Sequence, residues 1–223
     1  MVPVCSAFYF GSVEHYRLLA RHPRVVIDVG EHYERQSYRT RTRIAGPNGV
    51  QDLNVPIARD HGHKMPMRSV GLSYAESWPQ QQLHAIRSAY GNAPWFIHYI
   101  DAIEETVTRR YDRLVDLDLA TLRLGMRWLG LTTEVVVSEN YVEVASDEWR
   151  VASSSDATRH SPLATRLVDL RTSFHPKKPL PPGVDAVGAY PQVFADRHGF
   201  RPRMSVIDLV CTCGPTAAVI LRS

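Results

Sequence analysis

Arg39, Arg41 and Arg43 alternate with Tyr38, Thr40 and Thr42 in the run SYRTRTRI, and an extended strand would set all three guanidinium groups on one face. Side chains on one face of a strand sit about 6.6 to 7 Å apart, so these like charges repel unless a carboxylate, a phosphate chain or water lies between them. Nothing acidic alternates with them in the run itself. Two readings follow. The strand is a charged edge whose cations discourage pairing with other chains, or it is the floor for a phosphorylated or carboxylated ligand, which planar guanidinium groups grip with paired bonds. Lys64, Lys177 and Lys178 are the chain's only lysines among 26 basic residues. Arginine is therefore its ordinary cation, and placement rather than presence is informative.

Other side chains could do chemistry. Asp28 follows the apolar run Val25 to Ile27, at the carboxyl end of a strand, where ligands gather in open α/β sheets. With Glu31 and His32 nearby it could serve as general base for an attacking amine or hydroxyl, or simply close the following turn. Cys5, at the end of the first apolar segment, reads either as an acyl-accepting nucleophile or as a small buried apolar residue. His61 and His63 stand two apart in a loop with Asp60. They form a polar loop or a partial metal shell, and His63 is a candidate acid or base. Lys64 would add a cation to the arginine strand. There is no Walker loop and no GxGxxG run, so no nucleotide cofactor held by a Gly-rich loop is expected.

These residues need elements to hold them. Val2 to Phe10 suits a buried strand, and Ser12 caps a helix that runs to about His22 and stops at Pro23. Arg24 to Val29 is a second buried strand. Together they open a β-α-β unit, which implies parallel strands. The arginine strand runs to Ile44, and Gly46-Pro47-Asn48-Gly49 turns it back into a strand from about Val50 to Ile57, a hairpin with an Asn-Gly signal. Ser69 to Ser73 reads as another short strand. Helices follow over about Pro79 to Tyr90, Trp95 to Arg113 and Leu117 to Leu129, and short strands lie within Thr132 to Val144. Ser153 to Ser161 is a polar loop and Pro176 to Gly183 a connector. Helices are expected again over Pro191 to His198, Ser205 to Val210 and Thr216 to Leu221. The fold class is α/β: a mixed sheet opening with a β-α-β unit and an arginine-bearing hairpin, covered by a helical layer, in one domain over residues 1–223.

With 223 residues and 44% hydrophobic content the chain can bury a full core. A net charge of +3 does not create the field expected of a protein that lives on nucleic acid. The start MVPVCSAFYF lacks a basic leader region, no run reaches the length of a membrane span, and an odd cysteine count without framework spacing implies reduced thiols. A cytoplasmic protein without a membrane span is expected.

At SYRTRTRIAGPNGVQDLNVPI, followed by GHKMP, SAYGNAPWF, DLR, YPQVFADRHGF and MSVIDLVCTCGP, the sequence resembles the WbqC-like family from end to end. The resemblance implies a transferase acting in bacterial O-antigen or other surface polysaccharide synthesis, with glycine, another aminoacyl group or an acyl group passed to a sugar or glycan precursor. The implied partners are a phosphorylated small molecule or activated acyl or aminoacyl donor, and that precursor. Carried over by position, Arg41 and Arg43 fall on the family's basic strand, Asn48-Gly49 on its turn, and Lys64 and Pro66 on its lysine-proline pair. Tyr90 and Pro94 match its helix end, and Arg171, Tyr190, Gln192, Phe194 and Asp208 its C-terminal motifs. Many members begin with a His-Gln-Pro-Asn-like segment where this chain has Cys5-Ser6-Ala7-Phe8, and have His-Trp where it has Gln82-Leu83. A catalytic histidine at either place would be missing here.

Overall fold

The computed structural model describes residues 1–58, 65–144, 166–181 and 183–223. β1 (Val2–Cys5), α1 (Val13–Ala20) and β2 (Arg24–Asp28) form the expected β-α-β unit. β1 and β2 are parallel, with Val4 opposite Val26 and Cys5 opposite Ile27. The Ser12 hydroxyl caps α1 by accepting from the His15 amide, which satisfies one of the amides a helix start leaves without an internal partner. β5 (Glu134–Ser138) continues the sheet beyond β2, and β6 (Leu167–Asp169) pairs with the other side of β1, both in parallel. The order is β5-β2-β1-β6. The chain thus works outward from β1 through β2 to β5 and then returns to the opposite edge of β1. Strand ends next to such a reversal are where open α/β sheets bind ligands.

The arginine hairpin stands apart from this sheet. β3 (Arg41–Gly46) and β4 (Gly49–Asn54) pair only with each other, antiparallel, around Pro47-Asn48, with Arg43 opposite Asp52 and Arg41 opposite Asn54. Gly49 has φ 103°, a conformation that glycine adopts without strain. The α/β class holds, with the parallel strands in one sheet and the antiparallel hairpin in a sheet of its own. The arginine strand also starts later than its alternation implies, because Tyr38 and Arg39 precede β3.

α2 (Trp78–Tyr90), α3 (Ile100–Thr108) and α4 (Leu114–Trp128) form the middle helical layer, and α5 (Ala195–His198), α6 (Val206–Cys213) and α7 (Ala217–Arg222) close the chain. Every residue of α6 is buried; it packs against α1, α2, α4, α7 and β3. This is why the run VIDLVCTC carries a single charge, Asp208. Gly125 on α4 admits Tyr16 of α1, whose hydroxyl would lie 2.3 Å from any Cβ there. The expected strand at Ser69 to Ser73 is instead a 3-10 turn at Met67–Ser69 followed by isolated bridges at Gly71 and Leu72. No helix among the described residues is long and apolar enough to cross a membrane. The loop of His61, His63 and Lys64 and the Ser153 to Ser161 segment lie outside the described residues.

Candidate functional site

The hairpin register explains the first feature of the site. Asp52 stands opposite Arg43, and its carboxylate takes Arg43 Nε at 3.0 Å on one oxygen and Arg41 Nη1 at 3.1 Å on the other. One carboxylate between two guanidinium groups leaves a positive excess, on side chains that are only partly buried. Arg203, at φ 64°, adds a third guanidinium. Its Nη2 donates to the His175 carbonyl and its Nη1 to the Lys178 carbonyl, each at 2.6 Å, while Arg43 Nη1 reaches the Pro176 carbonyl at 3.3 Å. Lys177 and Lys178 are exposed on the same segment, with Lys178 Nζ 3.7 Å from Glu34.

Tyr38 lies buried under this group. Burial pushes its phenol pKa up, the charges of Arg203 and Arg43 pull it down, and Glu14 and Asp52 push it up again. His175 is held below its usual value by partial burial and by Lys178, Lys177 and Arg41, against Glu34. Burial also pushes the Glu14 carboxyl upward, so the cations here are only partly balanced.

Arg39 departs from the expected ladder. It is 1% exposed, and Glu31 takes its Nε at 3.0 Å and its Nη2 at 2.7 Å. Nη1 reaches Glu34 at 3.3 Å, and Nη2 also donates to the Ser6 hydroxyl and the Arg171 carbonyl. All of its nitrogens are engaged inside the protein, so the open basic face consists of Arg41 and Arg43 without Arg39. Burial raises the Glu31 carboxyl while the Arg39 bonds oppose that rise.

A second cluster closes the carboxyl ends of β2 and β6. Asp28 is fully buried; one oxygen accepts from the Gly30 amide at 2.9 Å, and the other from the Val142 amide at 3.0 Å and from Arg171 Nη1. The bond to Gly30, two residues on, is the turn-closing use of Asp, the second of the two readings of this residue. Gly30 is required there because a Cβ would fall 2.3 Å from the Tyr141 amide nitrogen. Arg171 also binds Asp169 through Nε at 3.0 Å and through Nη2, donates to the Tyr141 hydroxyl at 3.0 Å, and lies 4.2 Å from that ring's centre. Burial works against ionisation of Asp169, but the Arg171 bonds hold its carboxyl below the usual range. The Asp169 side chain, 44% exposed, and Tyr141, 55% exposed, face solvent.

Tyr190 and Gln192 meet around the buried Asp208 of α6. The Tyr190 hydroxyl and Gln192 Nε2 each donate to one oxygen at 2.7 Å, and the Tyr90 hydroxyl donates to the other at 2.9 Å. Burial pushes the Asp208 carboxyl up while these donors favour its charged form. With both side chains committed to Asp208, Tyr190 and Gln192 take the place of a cation for it rather than lining the basic face.

Cys5 is fully buried, and burial, with help from Asp169 and Glu31, pushes its thiol up to about 12. A buried thiol whose pKa is raised carries little thiolate at neutral pH, in keeping with the second reading of Cys5 as a small buried apolar residue. Cys5 in the native chain is expected to resist iodoacetamide at pH 8 and to label only as fast as the protein unfolds, read by mass spectrometry of its peptide. Rapid labelling would show that the first strand opens. A groove of about 650 Å³ lies between the hairpin turn and α2, lined by Asn48, Gln51, Asp52, Gln81, His84 and Ser88 among others. It shares Asp52 with the arginine pair, and its size falls in the range of small-ligand sites.

A parallel sheet with a detached basic hairpin beside a groove defines an α/β protein with clusters of charged side chains at one set of strand ends and along that hairpin. The model of the WbqC-like protein family matches residues 9–220, and the chain belongs to that family. No match was found among curated proteins or among solved structures. Sequence reasoning missed Arg203, Tyr38, Asp169 and Tyr141 as members of these clusters.

Proposed function

We propose that this protein is a cytoplasmic transferase of bacterial surface polysaccharide synthesis that passes an acyl or aminoacyl group to a sugar or glycan precursor, with Arg41 and Arg43 holding a phosphorylated donor or acceptor. The observation that carries the reading is the sharing of one carboxylate, Asp52, by two partly buried guanidinium groups, the same Asp52 lining a groove large enough for a sugar. Charge-assisted bonds from such a pair to a phosphate contribute about 1.5 to 3 kcal/mol each when well formed. Lys64 and His63, which lie outside the described residues, are the remaining candidates for a further cation and a proton carrier. The exposed Asp169 carboxylate, kept ionised by Arg171, would suit the ammonium group of an aminoacyl donor.

A thermal-shift series with coenzyme A, nucleotide sugars and aminoacyl-adenylate analogues tests the reading. A ligand at 100 times its dissociation constant stabilises the protein by about 2.7 kcal/mol, and Arg41→Ala is expected to abolish that shift. The unliganded variant should keep its stability to within about 1 kcal/mol, since Arg43 still pairs with Asp52 and partly exposed ion pairs contribute little. A much larger loss would make Arg41 a structural ion-pair member.

The burial of Asp28 and Cys5 favours one alternative: a binding protein without chemistry that docks a carrier protein or RNA through the same basic face. RNA binding would weaken linearly with log salt, whereas a pocketed small ligand would show only modest dependence.

A further inference from the structure

Buried polar atoms in folded proteins are nearly always hydrogen-bonded, so a local group of orphans marks an acceptor or donor that is missing. Among the described residues, the buried side-chain atoms without partners include the Tyr38 hydroxyl, Arg41 Nε, Arg203 Nε and Glu14 Oε2. They belong to one neighbourhood: Arg203, Arg43, Glu14 and Asp52 all act on the Tyr38 hydroxyl, and Arg41 shares Asp52 with Arg43. Three of the four orphans are donors. Beside them the guanidinium groups of Arg203 and Arg43 are occupied by the carbonyls of His175, Pro176 and Lys178. Those carbonyls belong to the 175–178 segment, which has neither helix nor strand, contains Pro176, is followed by Pro179 and leaves Lys177 and Lys178 exposed.

We propose that Arg43, Arg203 and the Tyr38 hydroxyl form the seat of a phosphoryl group, and that the 175–178 segment is a strap whose carbonyl oxygens fill that seat until a phosphorylated ligand displaces them. Carbonyl oxygens arranged on two guanidinium groups occupy the donors that phosphoryl oxygens would take. They are neutral, whereas a phosphate dianion or diphosphate adds the attraction of opposite full charges to the same guanidinium donors, so it outcompetes the strap. A carboxylate, with two oxygens and one charge, would leave donors unfilled. The strap also excludes bulk water from the seat in the free protein while leaving Lys177 and Lys178 at the rim, placed to meet the incoming charge. The inference rests on the proposed phosphate role of Arg41 and Arg43 and adds to it the depth of the seat and the segment that must move.

Inorganic pyrophosphate is the probe, with binding read by thermal shift and strap release by hydrogen–deuterium exchange of the peptide covering residues 173–181. Pyrophosphate is expected to raise the melting temperature and to speed exchange of that peptide, including the Lys178 amide now bonded to the His175 carbonyl at 3.2 Å. Arg203→Ala should show fast strap exchange without the probe and at least tenfold weaker pyrophosphate binding. Tyr38→Phe, which touches no strap carbonyl, should leave the free protein's exchange at the wild-type level and still weaken binding about tenfold. Binding that is lost in Arg41→Ala but indifferent to Arg203 and Tyr38, or that leaves strap exchange unchanged, overturns the seat and leaves the hairpin's ligand role standing. Absence of any pyrophosphate binding overturns both.

Discussion

Arg171→Met is expected to lower the free energy of unfolding by about 3 to 5 kcal/mol at pH 7, the cost of removing one member of a buried ion pair. Its partner Asp28 is wholly buried and would keep only two backbone amides as donors, from Gly30 and Val142. A carboxylate so placed, buried without its cation, costs free energy. Asp28→Asn should cost less, because the guanidinium keeps its ion pair with Asp169 and its bonds to Tyr141 and the Val142 carbonyl. The double variant should be less destabilised than the sum of the two, a coupling that urea titrations of the four proteins measure directly. A single-variant loss below about 1 kcal/mol would mean that water reaches the pair. The expected cost follows from where the pair sits. It ties the end of β2 to the second residue after β6 and to the turn at Val142, so the carboxyl edge of the sheet is held at three places by one side chain.

The elements that hold this edge differ in how legible they are. β1, α1 and β2 follow from local signals: the apolar run Val25 to Ile27, the Ser12 cap and the Pro23 stop each act within a few residues. The hairpin is equally local, since closing the chain at Gly46 and Gly49 fixes Arg43 opposite Asp52. That register also contained the shared carboxylate, a signal the alternation of arginines alone conceals. Alternation says nothing of where a strand begins, so Arg39 read as a third rung although Glu31, eight residues earlier, takes it into the interior. β6 is three residues long and exists only because β1 offers an edge, which no local pattern announces. Arg171 and Asp28 are 143 residues apart, and Arg203 binds backbone carbonyls that any sequence would supply. Asp208 is an intermediate case. A lone carboxylate in the apolar run SVIDLVC must find donors if the helix is buried, but the pattern cannot name Tyr90, Tyr190 and Gln192.

His15 carries the second large effect, and it appears as a pH dependence. Its ring is buried with neither nitrogen bonded, edge-on to Phe8 at 4.9 Å, Phe174 at 5.5 Å and Tyr16 at 5.6 Å. Burial pushes its pKa down to about 3, against about 6.5 in the unfolded chain. The unfolded state therefore takes up a proton that the folded state refuses. Stability is full above about pH 6.5 and falls as the pH drops toward 3, by up to about 1.4 kcal/mol per pH unit and about 4 to 5 kcal/mol in all. His15→Phe keeps an aromatic ring in the aromatic box and removes the titration. Its stability at pH 7 should stay within about 1.5 kcal/mol of the natural protein, and it should lose markedly less stability between pH 6 and 4. Asp169, held low by Arg171, also loses stabilisation in acid, but it is common to both proteins and cancels in their difference. A flat difference curve would mean that the imidazole is hydrated in solution. A sloping one would make His15 on α1, beside the Glu14 that borders the proposed phosphoryl seat, a main source of the protein's loss of stability in acid.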